Sequence, residues 1–418
     1  MRMRCGSTAF LWLALALVAP TTAVASDLSE IETARGEIAY HRGRYADALR
    51  SFQRAVEYDP NDADAQYALG LTLAKLERWD EAEAAFARAA ELRPGFAAAS
   101  EARDLARKHI GKGLETQEAT EVAKGVVPTA PRKRWEIHAT TGIQYDSNVL
   151  LAPRGHARGG VDNRGDFAGL LSGGARYDVV DRQDALVRLE YDLYQTLHPE
   201  IDSFDFRSQR VRATGSKEIL PWLWIGAQGG YNHFTLGPHS YLSEPYVMPF
   251  FSIIEKNWGV AQLSWRHDFD TFLSSPFHEV RDGRTDALAT SQTFYLGEAR
   301  ALTLGYTYGG EHPNEAVGND YQLVFHQGWV DYTFPLWWQL YADMMYLYRY
   351  DDYTKPNSVV DFRKTRADNE HHMFASLRRP INEHLTASLV YFGTVNPSNI
   401  ALFDYRRNVV AATLTISY

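Results

Sequence analysis

Cysteine is nearly missing from this chain: among 418 residues there is one, Cys5. Disulfide scaffolds, thiol catalysis and cysteine-ligated zinc are thereby excluded. Positive charge is not in excess either, since 43 Lys and Arg face 52 Asp and Glu, for a formal net charge of −9. No overall basic field points to a nucleic-acid partner. Outside the N-terminus no apolar run approaches the length of about 20 residues that a spanning helix needs, and mean hydropathy is −0.36. A helical multispanning protein is excluded. What is abundant is apolar and aromatic matter, 45% hydrophobic and 13% aromatic, with 24 Tyr and 10 Trp. That is too much for a disordered chain.

Residues 1–25 read as a signal peptide. Arg2 and Arg4 form a basic start, Ala9 to Ala19 an apolar stretch too short to span a bilayer, and Ala23-Val24-Ala25 a small-residue cleavage site. Cleavage removes Cys5, and the mature chain is expected to be exported.

Residues 26–110 read as a helical repeat domain. Gly36, Tyr45, Ala48, Phe52, Ala55 and Pro60 recur 34 positions later as Gly70, Trp79, Ala82, Phe86, Ala89 and Pro94. Small residues let paired helices approach, an aromatic fills the groove between them, and proline ends each second helix. The spacing predicts helices over 28–42, 45–58, 63–76 and 79–92, with a capping helix over 96–110. This pattern resembles the tetratricopeptide repeat. In such a repeat the first helix of each pair lines a concave side, so Glu37, Tyr40, His41, Tyr67, Leu71 and Lys75 are the candidate surface for a periplasmic protein or exported cargo. A solvated face of a structural spacer fits the same residues. Residues 111–134 lose the helical pattern and read as a linker ending in Arg132-Lys133-Arg134, a triplet suited to anionic lipid headgroups or to plain solvation.

From Trp135 to the C-terminus the apolar period changes from 3.6 to 2. Val410, Ala412, Leu414, Ile416 and Tyr418 alternate with Thr413, Thr415 and Ser417, and Val187, Leu189, Tyr191 and Leu193 with Arg188, Glu190 and Asp192. The count of strands over 135–418 is 14, with short connections at every second position and mostly longer ones between. Six tryptophans (135, 222, 224, 258, 337 and 338) fall at the short-turn end, where an aromatic girdle is expected. The expected fold is therefore an α-helical repeat solenoid followed by a transmembrane antiparallel β-barrel. The expected location is the outer membrane, with the repeats in the periplasm beside the short turns. Membrane lipids are the expected surroundings, and Tyr418 is the expected signal to the barrel-assembly machinery.

The layout, together with Tyr145-Asp146-Ser147-Asn148-Val149 and Phe403-Asp404-Tyr405-Arg406-Arg407-Asn408, resembles the surface lipoprotein assembly modifier family, whose barrel is also 14-stranded. Exopolysaccharide exporters of the cellulose and poly-N-acetylglucosamine systems share the layout, with longer repeat arrays and wider barrels. The resemblance implies translocation of a surface lipoprotein in the first case and polysaccharide export in the second. A porin or scaffold with no dedicated cargo is the third reading.

Strand parity points Arg188, Glu190, Asp192, Arg210, Arg212, Arg266, Asp268, Asp343, Arg349 and Arg407 inward. Arg or Lys facing lipid at mid-membrane would cost about 2–4 kcal/mol. Such a set suits either a polar conduit or interlocking salt bridges that fill the lumen. A conduit for an acidic polysaccharide should be more one-sidedly basic. Over 204–212 and 320–332 parity is unclear, as a bulge would make it. His371, His372, His312 and Ser274-Ser275 are scattered without the spacing that sets a base beside a nucleophile, and adjacent strand residues such as His371 and His372 point to opposite faces. No phosphate loop, dinucleotide fingerprint or zinc-protease motif is present. The expectation is a non-enzyme without cofactor or metal.

Overall fold

A computed structural model describes residues 32–112 and 134–418, except 34, 38, 41, 42, 94, 155–163, 183, 256, 257, 275–277, 298, 299, 315, 359 and 383. The expected leader, nearly all of the expected linker and His41 lie outside the described residues. The chain forms two compact units, one helical and one built of strands from Arg134 onward.

In the helical unit, described residues between 32 and 40 are helical, followed by α1 (Tyr45–Tyr58), α2 (Ala63–Lys75), α3 (Trp79–Leu92) and α4 (Ala97–Lys112). These match the predicted helices within two residues. The reason for the repeat is visible in its core. A Cβ on Gly36 would lie 2.6 Å from the Phe52 ring, and a Cβ on Gly70 2.6 Å from the Phe86 ring. Only glycine lets the backbone of one helix rest on the aromatic of the next, and the contact is made twice at the sequence period. Asp62 caps α2 by accepting from the backbone N–H groups of Asp64 and Ala65 at 2.9 and 3.0 Å.

The second unit is a closed barrel of 14 strands in sequential order. They are β1 (Trp135–Asp146), β2 (Asp166–Arg182), β3 (Ala185–Leu197), β4 (Phe206–Leu220), β5 (Leu223–Leu236), β6 (His239–Glu255) and β7 (Gly259–Phe272), then β8 (Gly283–Gly297), β9 (Arg300–Pro313), β10 (Leu323–Pro335), β11 (Tyr341–Pro356), β12 (Thr365–Pro380), β13 (Leu385–Asn396) and β14 (Tyr405–Ser417). β1 closes on β14 in antiparallel register, from His138 opposite Ser417 to Asp146 opposite Val409.

Three details differ from the sequence reading. The register shifts lie at Asp178/Val180, Glu218/Leu220, Phe234/Thr235 and Asp352/Pro356, so β10 and the 204–212 region run without one. β11 begins at Tyr341 because Trp338 and Gln339, at φ 60° and 58°, turn the chain before it. And β5 joins β6 through a tight turn at Gly237, at φ 56°, on the side of the longer loops.

The barrel's wall is apolar outside. Ile137, Leu189, Val211, Leu263, Leu288, Leu389 and Leu414 are all exposed, while the residues beside them in sequence turn inward. Trp135, Trp222, Trp258, Trp337 and Trp338 are exposed at the short-turn end. Trp224 corrects the girdle expectation: it shares inward parity with Gly226 and Gln228, opposite to exposed Ile225, and is half-buried. An apolar outer wall around a charged interior inverts the distribution of a water-soluble protein and suits a barrel set in hydrocarbon.

Candidate functional site

The interior of the barrel is where the charged side chains converge. Arg188 donates from Nε to Asp178 Oδ1 at 2.7 Å. Arg212 reaches Asp192 at 2.7 Å and Glu190 at 3.5 Å. Arg266 holds Glu244 at 2.8 Å and Asp268 at 2.5 Å, with its guanidinium 4.0 Å from the centre of the Tyr246 ring. Asp343 accepts from Thr333 at 2.8 Å. Arg349 joins Asp351 at 2.6 Å to Glu311 at 3.0 Å and lies 4.0 Å over the Phe325 ring. Arg407 meets Asp146 across the closing seam.

The inner wall divides into two regions. Along β4–β10 side chains stop short of filling the interior, leaving a cavity of about 370 Å³ whose lining includes Arg210, Arg212, Glu244, Arg266 and Asp268 and reaches Arg349 on β11. Along β11–β14 and β1 the inward groups are sealed: Asp146 and Asp368 are 0% exposed, Asp351 and Glu370 1%. Apolar matter packs against the inner wall toward the long loops. Leu151, Leu170, Tyr194, Phe206, Phe234, Leu242, Phe272 and Tyr405 form one buried cluster there. A second, of Phe374, Val390, Phe392, Val409 and Ala411, packs between β12, β13 and β14.

The short stretches after β1 and before β14 are built against each other. Asn148 donates to the carbonyls of Ala152 and Arg406 at 3.0 and 2.8 Å and accepts from the Ala152 N–H at 2.8 Å. Ser147 N–H reaches the Asn408 carbonyl, and Asn408 N–H returns to Ser147 Oγ at 2.8 Å. Arg154 pairs with Asp404. This lock tucks Val149, Leu151 and Ala152 over the inward face, all buried. The two stretches that carry the resemblance to the lipoprotein assembly modifiers are thus one structural joint.

Parity reasoning missed Asp146, Asp178, Glu244, Glu311, Asp351, Arg366, Asp368 and Glu370. The signal was present in β12, where Arg366, Asp368, Glu370 and His372 fall on one face in strict alternation. His372 bonds Glu370 at 3.1 Å and Thr394 at 3.2 Å inside, while His371 takes the Tyr346 hydroxyl at 2.7 Å outside.

The helical candidates are placed differently from the reading of a concave surface. Tyr40, Tyr67 and Leu71 belong to the helical core and Glu37 is also buried, because side chains at these positions fill the grooves between helices. Burial raises the Tyr40 and Tyr67 phenols above their ordinary range. Lys75 stays partly accessible, its ammonium 5.8 Å from the centre of the Tyr45 ring.

The tetratricopeptide-repeat family model matches residues 33–95. No curated protein matches the chain. Among solved structures, the anion-selective porin from Comamonas acidovorans is 7% identical with a TM-score of 0.39, over 68% of this chain and 98% of the porin. The outer membrane channel DcaP of Acinetobacter baumannii is 9% identical with a TM-score of 0.42, over 68% of this chain and 96% of that one. The helical segment is of tetratricopeptide type, and the barrel, by its own apolar outside and charged inside, is of the outer-membrane type.

Proposed function

We propose that this chain is an outer-membrane barrel that helps bring a macromolecule to the cell surface, with a surface lipoprotein as the favoured cargo. In this reading the barrel sits among membrane lipids, Tyr418 is presented to the barrel-assembly machinery, and the helical repeats meet a protein partner or the cargo in the periplasm. The observation that carries the choice of cargo is the sealed inner wall. Barrels of 16–18 strands hold open aqueous channels. Here 14 strands enclose paired charges, and along β11–β14 and β1 Asp146, Asp351, Asp368, Glu370, Arg349 and Arg407 are 0–4% exposed. The mixed signs of the interior also disfavour an acidic glycan.

A barrel with no dedicated cargo is the second reading, favoured by the same sealed interior. Protease shaving of intact cells, wild type against deletion, separates the two when lipoproteins are quantified by mass spectrometry. Translocation requires that specific lipoproteins remain in the cell but lose protease exposure. Unchanged exposure of every surface lipoprotein eliminates that role. Loss of a surface glycan instead would restore the polysaccharide reading.

A further inference from the structure

The sealed wall contains a set of oxygen atoms that its ion pairs do not use. Asp351 and Asp368 face each other in the β11–β12 register, and Arg349 faces Glu370. The carboxylates of Asp351, Asp368 and Glu370 each bring an oxygen within 4.8 Å of the others, and all three residues are buried. One oxygen of each aspartate is occupied: Asp351 Oδ1 accepts from Arg349 at 2.6 Å, and Asp368 Oδ2 accepts from Arg366. The other two, Asp351 Oδ2 and Asp368 Oδ1, have no hydrogen-bond partner among the described residues.

Two neutral oxygens on the neighbouring strands share that condition. His371 faces Val395, which sets Asn396 beside Glu370, and Asn396 in turn faces Tyr405. Asn396 spends its amide N–H on the Phe403 carbonyl at 2.9 Å and leaves Oδ1 without a partner, and the Tyr405 hydroxyl has none either. Asn396 is 0% exposed and Tyr405 5%. The Tyr405 phenol is within electrostatic reach of Glu370 and Asp368. Buried polar atoms of native proteins are satisfied by protein, water or an ion. Two unsatisfied aspartate oxygens and two unsatisfied neutral oxygens, with the Glu370 carboxylate, form a consistent donor set.

Charge points the same way. Glu311, Asp351, Asp368 and Glu370 are four carboxylates, against the guanidiniums of Arg349 and Arg366 and the His372 imidazole. Arg407 is engaged by Asp146. Hard oxygen donors in number, with no sulfur, select a hard cation, and the tolerance of calcium for irregular sets of six to eight oxygens suits ligands drawn from four strands.

We propose that Asp351, Asp368 and Glu370, with Asn396 and Tyr405, bind a calcium ion that ties β11, β12, β13 and β14 together beside the closing seam. The full chain, folded in detergent micelles, stripped with chelator and dialysed against about 1 mM calcium chloride, the affinity range of extracellular calcium modules, is expected to retain a single ion by elemental analysis. Its unfolding temperature should rise with calcium and fall back with chelator. D351N and D368N should lose the ion. Y405F keeps every charge, removes one neutral oxygen from the site and should weaken binding at least about tenfold, the lower end of the loss when even a supporting contact at a metal site is removed. It decides the matter if the aspartate variants fail to give the heat-modifiable folded band. The proposal is overturned if the wild type retains no calcium, if D351N or D368N folds and retains it, or if Y405F binds as the wild type does.

Discussion

In the helical unit Phe52 and Phe86 are fully buried while Arg50, Arg78 and Arg88 stand in solvent; in the barrel Leu263 and Leu288 are exposed while Arg349, Arg366 and Arg407 are buried. Ile110 is the one large hydrophobic residue that the described helices expose, against several dozen along the strands. The contrast does not lie in the residues available, since both units draw on aromatics, leucines and arginines. It lies in the medium each wall faces. Water rewards an apolar centre, and hydrocarbon rewards an apolar surface and leaves charge no place but the interior.

The largest test of the comparison is in the helical core. Phe86→Ala should cost about 3–5 kcal/mol, since a fully buried ring is lost and Gly70 keeps the gap open. A unit of two repeats and a cap has little stability in reserve. The far-ultraviolet helical signal should collapse while the barrel keeps its heat-modifiable migration. Unfolding of the barrel by the same substitution would deny that the two units hold separate cores.

Asp146→Asn removes one partner of a sealed ion pair and strands Arg407 at 3% exposure. Breaking a buried pair from one side costs about 3–5 kcal/mol. Urea unfolding in micelles should show the loss, and Asp146→Asn combined with Arg407→Met should recover much of it.

Leu288→Arg puts a charge on the outer wall at the middle of β8. A cost of about 2–4 kcal/mol is expected for Arg at the bilayer midplane. Glu91→Arg on exposed α3 surface should stay within about 0.5 kcal/mol. Equal effects at the two sites would break the assignment of hydrocarbon outside the barrel.

The smallest expected effect is at the head of α2. Asp62→Ala deletes an N-cap worth about 1 kcal/mol. Burial pushes the Asp62 carboxyl up to about 6, against the lowering by the Ala65 N–H. Its folded pKa therefore stands above the value of about 3.9 that an unfolded aspartate has. That contribution to stability is complete below the unfolded value and is lost as pH rises through about 6. Helical unfolding followed against pH should show this slope, and Asp62→Asn, which keeps an acceptor, should flatten it.

Much of this molecule is legible without coordinates because its two periods are strong. The 34-residue recurrence located helices that form within two residues of expectation, and alternation located every strand of the barrel. Trp337-Trp338 shows where that reading fails. Two apolar residues at a strand start look like strand, yet left-handed backbone at Trp338 and Gln339 makes them a turn. The helical surface differs for another cause: Tyr40, Tyr67 and Leu71 pack into the helical core, where neighbouring helices cover them.

By itself the sequence determined the order of the two units, the number of strands and which side of most strands carries charge, since helical and strand periods are local properties of backbone geometry. Which charges meet was decided only by strand register and by closure of the barrel. Arg407 finds Asp146, 261 positions away, and Arg349 finds Glu311, 38 away. Asp351, Asp368 and Glu370 converge for the same reason. Pairing of that range depends on register and on the return of β14 to β1, which sum over the whole wall and are written in no single segment.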